Sequence, residues 1–417
     1  MSPSAVAFRC ARPLAALVPV IAGLCLAGVS APPALAQPVP SPAPAAPSGE
    51  AFAVHLYQQL GKMAGNLAFS PFSISSALEL AYLGSRGDTA AALAAALGIT
   101  ASPTAAADAY GQLSLQLNAE NHRGAKLIIA NSLWTQEDYP FRPEFLARGQ
   151  RDFAAELKPV DFIADSDGAR SAINAWVESA TQGKIANLIP AGGLSLETRL
   201  VLCNAVYFKA RWQKPFAKSS TLPGNFYLSP DEPISLPLMR ETGVFRMTAG
   251  DGCRLAELPY AGGSASMIIL LPDTADGLTT LEYHFNADNL AAWLGKLDQS
   301  RPVALNVALP PFALTRNSDL NSTLGALGLS LVFNPSADFS GIAANGRLFI
   351  SKLFHECTVA VDEEGTEAAA ATAGAMAGMA LLKPQGDFYV DHPFIFLIRD
   401  NATGTVLFLG RVADPRS

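Results

Sequence analysis

Five histidines (positions 55, 122, 284, 355 and 392) and five cysteines are the side chains of this 417-residue chain best suited to metal binding or nucleophilic chemistry. No two histidines stand at HExxH spacing and no CxxC pair occurs, so no metal centre is expected. The GxSxG turn that would raise a nucleophilic serine above a sheet is missing, and no Ser, His and acid stand out as a triad. Neither GxGxxG nor GxxxxGK[ST] is present to cradle phosphates. The sequence therefore gives no support for an enzyme, and no cofactor is expected. His355 sits in the alternating run HECTVAVD (355–362), where a buried, hydrogen-bonded histidine is a better reading than a catalytic one.

Residues 363–382, EEGTEAAAATAGAMAGMALL, offer a different chemistry. From Ala368 to Leu382 the run has neither a charge nor an aromatic ring. At the two-residue period of a strand, one face is Thr366, Ala368, Ala370, Thr372, Gly374, Met376 and Gly378. The other carries Glu367 and then only alanines up to Ala377. The first face is uncharged and slight enough to slide between two strands already packed over a core. Alanine and glycine form strands poorly alone, so the segment needs a sheet to receive it. By composition the segment is an exposed Ala-rich loop. Its position between two strands of one domain argues otherwise, because a loop of this length is uncommon unless functional.

Those strands and their neighbours must position the segment. Half the residues are apolar and 16% are charged, enough to bury a large core. Arg9 and Arg12, the apolar run Leu14 to Val29, and Ala34-Leu35-Ala36 before Gln37 read as a secretory signal over residues 1–36. A secreted protein, extracellular or periplasmic, is the expectation. A Pro/Ala/Ser spacer occupies 37–49, and one domain is expected over 50–417. Removing two of the 29 cations leaves 27 − 36 = −9, an acidic balance that speaks against nucleic-acid or heparin partners. Cys203, Cys253 and Cys357 remain after the signal, too few for a disulfide framework.

Phe52, Leu56, Leu60 and Met63 recur at helical spacing; Ser70-Pro71 starts a helix running to about Gly84; Asp88 caps a helix ending at Gly98; and 167–183 forms another. Strands are predicted over 126–134, 199–208, 266–271, 303–309, 355–361, 393–399 and 405–409. Helices early and strands late indicate an α+β fold with large antiparallel or mixed sheets.

Four ordered segments then resemble the serpin family. FYVDHPFIFLIRDNATGTVLFLGRV (388–412) resembles its C-terminal signature, NLAFSPFSISSALELAYLGSRGDT (66–89) and LVLCNAVYFKARWQKPF (200–216) resemble two further blocks, and VDEEGTEAAAATA (361–373) resembles the hinge of inhibitory members. The resemblance covers about Glu50 to Pro415. It implies helices packed on three β-sheets with an exposed reactive loop, and inhibition of serine proteases by a suicide-substrate route; the alternatives are a non-inhibitory member serving as a binding or storage protein, or an inhibitor of cysteine proteases. The protease forms an acyl-enzyme on the loop, and the cut loop inserts as a new strand of the main sheet, trapping it. The implied partner is a target serine protease in a covalent complex with a monomer; neither nucleic acid nor, after signal cleavage, a membrane is implied.

Position by position, the resemblance places the hinge at Glu363, Glu364, Gly365, Thr366, Glu367, Ala368, Ala369 and Ala370. A polar cluster beneath the parting sheet falls on Ser70, Ser73, Asn204 and His355, and a tryptophan at the top of the opening on Trp212. Hinge spacing puts the reactive bond at Met379-Ala380; counting back from Pro393 gives Leu382-Lys383, and Met376 and Leu381 are neighbours in contention. These uncharged side chains imply elastase-, chymotrypsin- or subtilisin-like targets. The chain departs from the family at Leu309-Pro310-Pro311-Phe312, where many members have a lysine after the first proline, so Glu363 is expected to lack its usual cationic partner.

Overall fold

The computed structural model describes residues 49–120, 125–183, 185–344, 348–366 and 383–417. Its first half is mainly helical: α1 (Gly49–Leu60), β1 (Leu67–Phe69), α2 (Pro71–Gly84), α3 (Gly87–Leu97), α4 (Pro103–Glu120), β2 (Ala125–Gln136), α5 (Pro143–Phe153), β3 (Glu156–Val160) and α6 (Ser166–Ala180). Strands dominate the rest: β4 (Leu200–Arg211), β5 (Leu222–Tyr227), β6 (Pro233–Gly250), β7 (Cys253–Pro259) and β8 (Ala265–Pro272). After α7 (Leu278–His284) and α8 (Ala287–Gln299) come β9 (Val303–Leu309), β10 (Phe312–Asp319), α9 (Asn321–Leu324), β11 (Leu353–Val361), β12 (Gly365–Thr366), β13 (Gly386–Tyr389), β14 (Phe394–Asp400) and β15 (Val406–Val412).

Local chemistry explains several boundaries. The Ser70 side chain accepts from the Ser73 N–H and proline opens α2, as the sequence predicts. Gly98 ends α3 in the left-handed conformation, but Asp88 lies within the first turn instead of capping it. Asp165, accepting from the Gly168 N–H, is the true cap of α6. Met63 falls beyond α1 and is exposed.

The strands form two hydrogen-bonded networks. One has the order β10-β11-β12-β4-β2-β3, with β11 also pairing β4 directly. The other runs β1-β15-β14-β8-β7-β6-β9-β13, with β5 attached to β6. The long β6 gives successive stretches to β5, β9 and β7, so a smaller sheet of β5, β6, β9 and β13 joins the larger one through that strand. This accounts for the third sheet of the expected fold.

The main core includes α2, whose residues are buried almost all round, the polar Ser73, Ser76 and Glu79 among them. A second cluster lies outside the six-stranded sheet, where Ile173 and Val177 of α6 meet Trp134, Val201, Cys203 and Phe354. Cys203, Cys253 and Cys357 are free and buried, and burial pushes each thiol upward, Cys253 to about 12.

Candidate functional site

The seam between β4 and β11 changes character along its length. At the lower end, Leu353 to Cys357 pair in parallel with Leu202 to Val206. Above Cys357 this pairing stops, although β10 still flanks the outer edge of β11 to Val361 and β2 that of β4 to Ala210. Two residues close the top: Gly365 and Thr366 pair with Arg211 and Ala210, and Thr366 also faces Val361. Among the described residues no strand occupies the interval between.

The top is built as a tight turn. The Asp362 carboxylate accepts from the Glu364 and Gly365 N–H groups, and the Asp362 N–H returns to the Gly365 carbonyl at 2.9 Å. Gly365 has φ +155°. A Cβ there would lie 2.0 Å from the Ala210 carbonyl oxygen, so only glycine fits this close approach. Thr366 points into the core, 1% exposed, its hydroxyl 2.6 Å from that of Tyr260. Tyr260 is stacked on Trp212 at 4.7 Å, and burial pushes its phenol upward, keeping it neutral.

Trp212 grips the turn directly. Its backbone N–H donates to the Glu364 carbonyl and its indole N–H to the Asp362 carbonyl, both at 2.9 Å. The Phe216 N–H donates to the Glu363 carbonyl. Glu363 makes no ion pair among the described residues; its carboxylate accepts from the Thr221 hydroxyl at 2.8 Å, a partner the sequence did not suggest. Arg211 reaches Glu364 at 3.4 Å on the surface.

The polar cluster lies at the lower end. His355 is 2% exposed, and its Nε2 accepts from the Ser70 N–H at 3.1 Å. The Ser70 hydroxyl donates to the Leu407 carbonyl, tying α2 to β15. Asn204 is the backbone register partner of His355. Burial lowers the His355 pKa to about 3, so the ring is neutral, with its proton on Nδ1 because Nε2 accepts. That Nδ1 and the Ser73 hydroxyl are buried and meet no hydrogen-bond partner among the described residues.

Glu367, Ala368, Ala369, Ala370, Met379 and Ala380 lie outside the described residues, as do Met376, Leu381 and Leu382. The chain resumes at Lys383, which is exposed, and enters β13 in parallel with β9. The segment therefore departs from one sheet at Thr366 and returns on another at Gly386.

The site is thus a mixed sheet whose strands β4 and β11 pair directly at one end, with a tight turn of the following segment lodged between them at the other. The family model described as Serpin (serine protease inhibitor) matches residues 47–415, and the chain belongs to the serpin family. It is similar to the leukocyte elastase inhibitor of Sus scrofa, 42% identical over 375 residues, covering 87% of this chain and 97% of that protein. The structure of uncleaved ovalbumin superposes with a TM-score of 0.81 at 30% identity, over 89% of this chain and 100% of that one. A highly specific serpin of the insect Tenebrio molitor gives 0.77 at 33%, over 88% and 96%.

These relatives correct one expectation. Leukocyte elastase inhibitors from several mammals match across the family domain, and they are intracellular serpins, so the expectation of a secreted, extracellular or periplasmic protein does not stand. Residues 1–36, on which that expectation rested, precede the family match and lie outside the described residues.

Proposed function

We propose that this chain inhibits serine proteases as a suicide substrate, with its family domain over 50–417 and the reactive bond at Met379-Ala380. The observation that carries this reading is the interval between β4 and β11 that no strand among the described residues occupies, entered at its top by Gly365 and Thr366. The backbone groups on the inner edges of Thr358–Ala360 and Tyr207–Lys209 are disposed to receive a strand continuing from Thr366. About a dozen inserted residues, at roughly 1 kcal/mol net per hydrogen bond plus side-chain pairing, supply on the order of 10 kcal/mol before entropy costs. That rivals the stability of an ordinary domain, so the native form is held kinetically.

In this mechanism a protease attacks the carbonyl of Met379 and forms an acyl-enzyme. The hinge from Glu363 to Ala370 then follows Thr366 into the sheet, and β4 and β11 part at the seat formed by Ser70, Ser73, Asn204 and His355. The monomer thus becomes one partner of a covalent complex. An uncharged reactive residue and the names of the mammalian relatives together support elastase-like targets.

The test is to mix the protein with elastase, chymotrypsin and trypsin and look for an SDS-resistant complex, with mass analysis of the released C-terminal peptide. A complex with elastase or chymotrypsin and a peptide beginning at Ala380 are expected. A peptide beginning at Lys383 would move the bond, and cleavage without complex would overturn the trapping mechanism. Mild oxidant should slow inhibition by making Met379 polar, and Met379→Leu should resist that loss; equal sensitivity in the leucine variant places the bond elsewhere.

A further inference from the structure

A cavity of about 250 Å³ lies between the start of α1, the length of α2 and the turn joining β14 to β15. Glu79 lines it and is 8% exposed, with no hydrogen-bond or ion-pair partner for its carboxyl among the described residues. Around it the walls are apolar, built chiefly from Phe52, Phe72 and Leu97. Glu50, half-buried in the first turn of α1, and the turn residues Thr403 and Thr405 form the more exposed rim. A buried acid in a largely apolar wall is costly when ionised, because no counter-charge faces it among the described residues.

From this geometry we propose that the cavity is a binding site for a small organic ammonium ion carrying one apolar ring, with Glu79 as counter-ion and Glu50 as a second acid at the mouth. The volume is below the range of about 300–1,000 Å³ common for drug-sized ligands, which favours a single-ring amine. Phe52, Phe72 and Leu97 would cover the ring, and the ammonium would give the Glu79 carboxylate the partner it lacks. The site adjoins the Ser70–His355 contact through Pro71 and Phe72, but the argument for it does not depend on the inhibitory mechanism.

The electrostatics of the pocket set the pH dependence of such binding. Burial raises the Glu79 pKa to about 8. The groups bearing on this pair are Tyr110 of α4, which senses Glu79, and Arg399 of β14 with Asp298 of α8, which sense Glu50. Burial raises the pKa of Glu50 as well, Arg399 opposing this and Asp298 adding to it. At neutral pH the empty site thus holds a proton on Glu79 that an entering ammonium must displace. Binding should release about one proton and strengthen about tenfold per pH unit as pH rises toward 8.

The experiment is calorimetric titration of the full chain with 2-phenylethylamine, in buffers of different ionisation enthalpy, from pH 6 to 8. Its neutral analogue 2-phenylethanol serves as comparator. The expected result is amine binding with release of about one proton, lost by at least about tenfold in Glu79→Gln, while the alcohol binds both proteins weakly and alike. Amine binding without proton release, equal binding by Glu79→Gln, or a preference for the alcohol would each overturn the proposal. So would no binding of the amine at pH 8. If the glutamine variant does not fold, the proton count and pH slope of the unaltered protein still decide.

Discussion

The two ends of the β4–β11 seam use the same pair of strands and are held by different forces. At the lower end β11 is buried on both faces: His355 turns toward α2, and Phe354 joins the cluster beneath α6. Direct strand pairing and two covering layers seal it. Above Cys357 the outward side chains Thr358 and Ala360 are half-exposed, direct pairing has ended, and a two-residue wedge does the closing. On the proposed mechanism, the upper end is where a strand would enter and the lower end is what it would have to part.

The sharpest way to break this contrast is to block the wedge. Thr366→Arg places a charge where a side chain 1% exposed now meets Tyr260. Complex formation should disappear while cleavage continues, turning inhibitor into substrate. A mutant that still traps protease on an SDS gel removes strand insertion from the mechanism.

Filling the upper end should be nearly as large an effect. Limited elastase digestion between residues 374 and 383 should raise the thermal midpoint by tens of degrees, as a gain on the order of 10 kcal/mol requires. A domain nicked in an ordinary loop would melt at the same temperature or lower. An unchanged midpoint, with the cut verified by mass, would leave the fold intact and place the chain among non-inhibitory serpins.

Gly365→Ala tests the wedge without adding charge. Its methyl would collide with the Ala210 carbonyl, so the turn should leave the sheet and become sensitive to proteolysis around Glu364. The number of inhibitor molecules consumed per protease should rise several-fold. Resistance to proteolysis equal to the parent protein would show that the close approach is not limiting.

The lower end should respond to acid. His355 has a folded pKa of about 3, well under its unfolded value near 6.5, so below pH 6.5 the unfolded chain binds the extra proton. The stability tied to neutral His355 is complete above pH 6.5 and is lost as pH falls from there toward 3. Between pH 6.5 and 4.5 this amounts to about 2 kcal/mol, a loss that His355→Gln should lessen. Thermal melts of both proteins across that range provide the comparison, and parallel curves would assign the acid sensitivity to other groups.

Thr221→Val is the mildest probe. It deletes the hydroxyl that meets Glu363 and should shift hinge entry by about 1 kcal/mol, read as a change of a few-fold in the rate of inhibition. No change in that rate would make the contact incidental.

Local chemistry was legible from the sequence. Ser70 followed by Pro71 fixes the start of α2, and Gly98 ends α3, because capping and left-handed glycine depend on neighbours a few residues away. The alternation of HECTVAVD made a strand, and it falls within β11. Even there the start of α6 was offset, with Asp165, two residues before the expected helix, supplying the cap. What the sequence could not decide depends on distant partners. The same alternating strand pairs with β4 and meets the α6 cluster over its lower stretch, and among the described residues does neither above Cys357. Thr221 meets Glu363 across 142 positions of chain, and Glu79 looks like one more helix-surface acid until α1 and the β14–β15 turn close over it. Periodicity specifies which side chains share a face; only tertiary packing decides what that face meets, and therefore which charges are stranded and which strands can part.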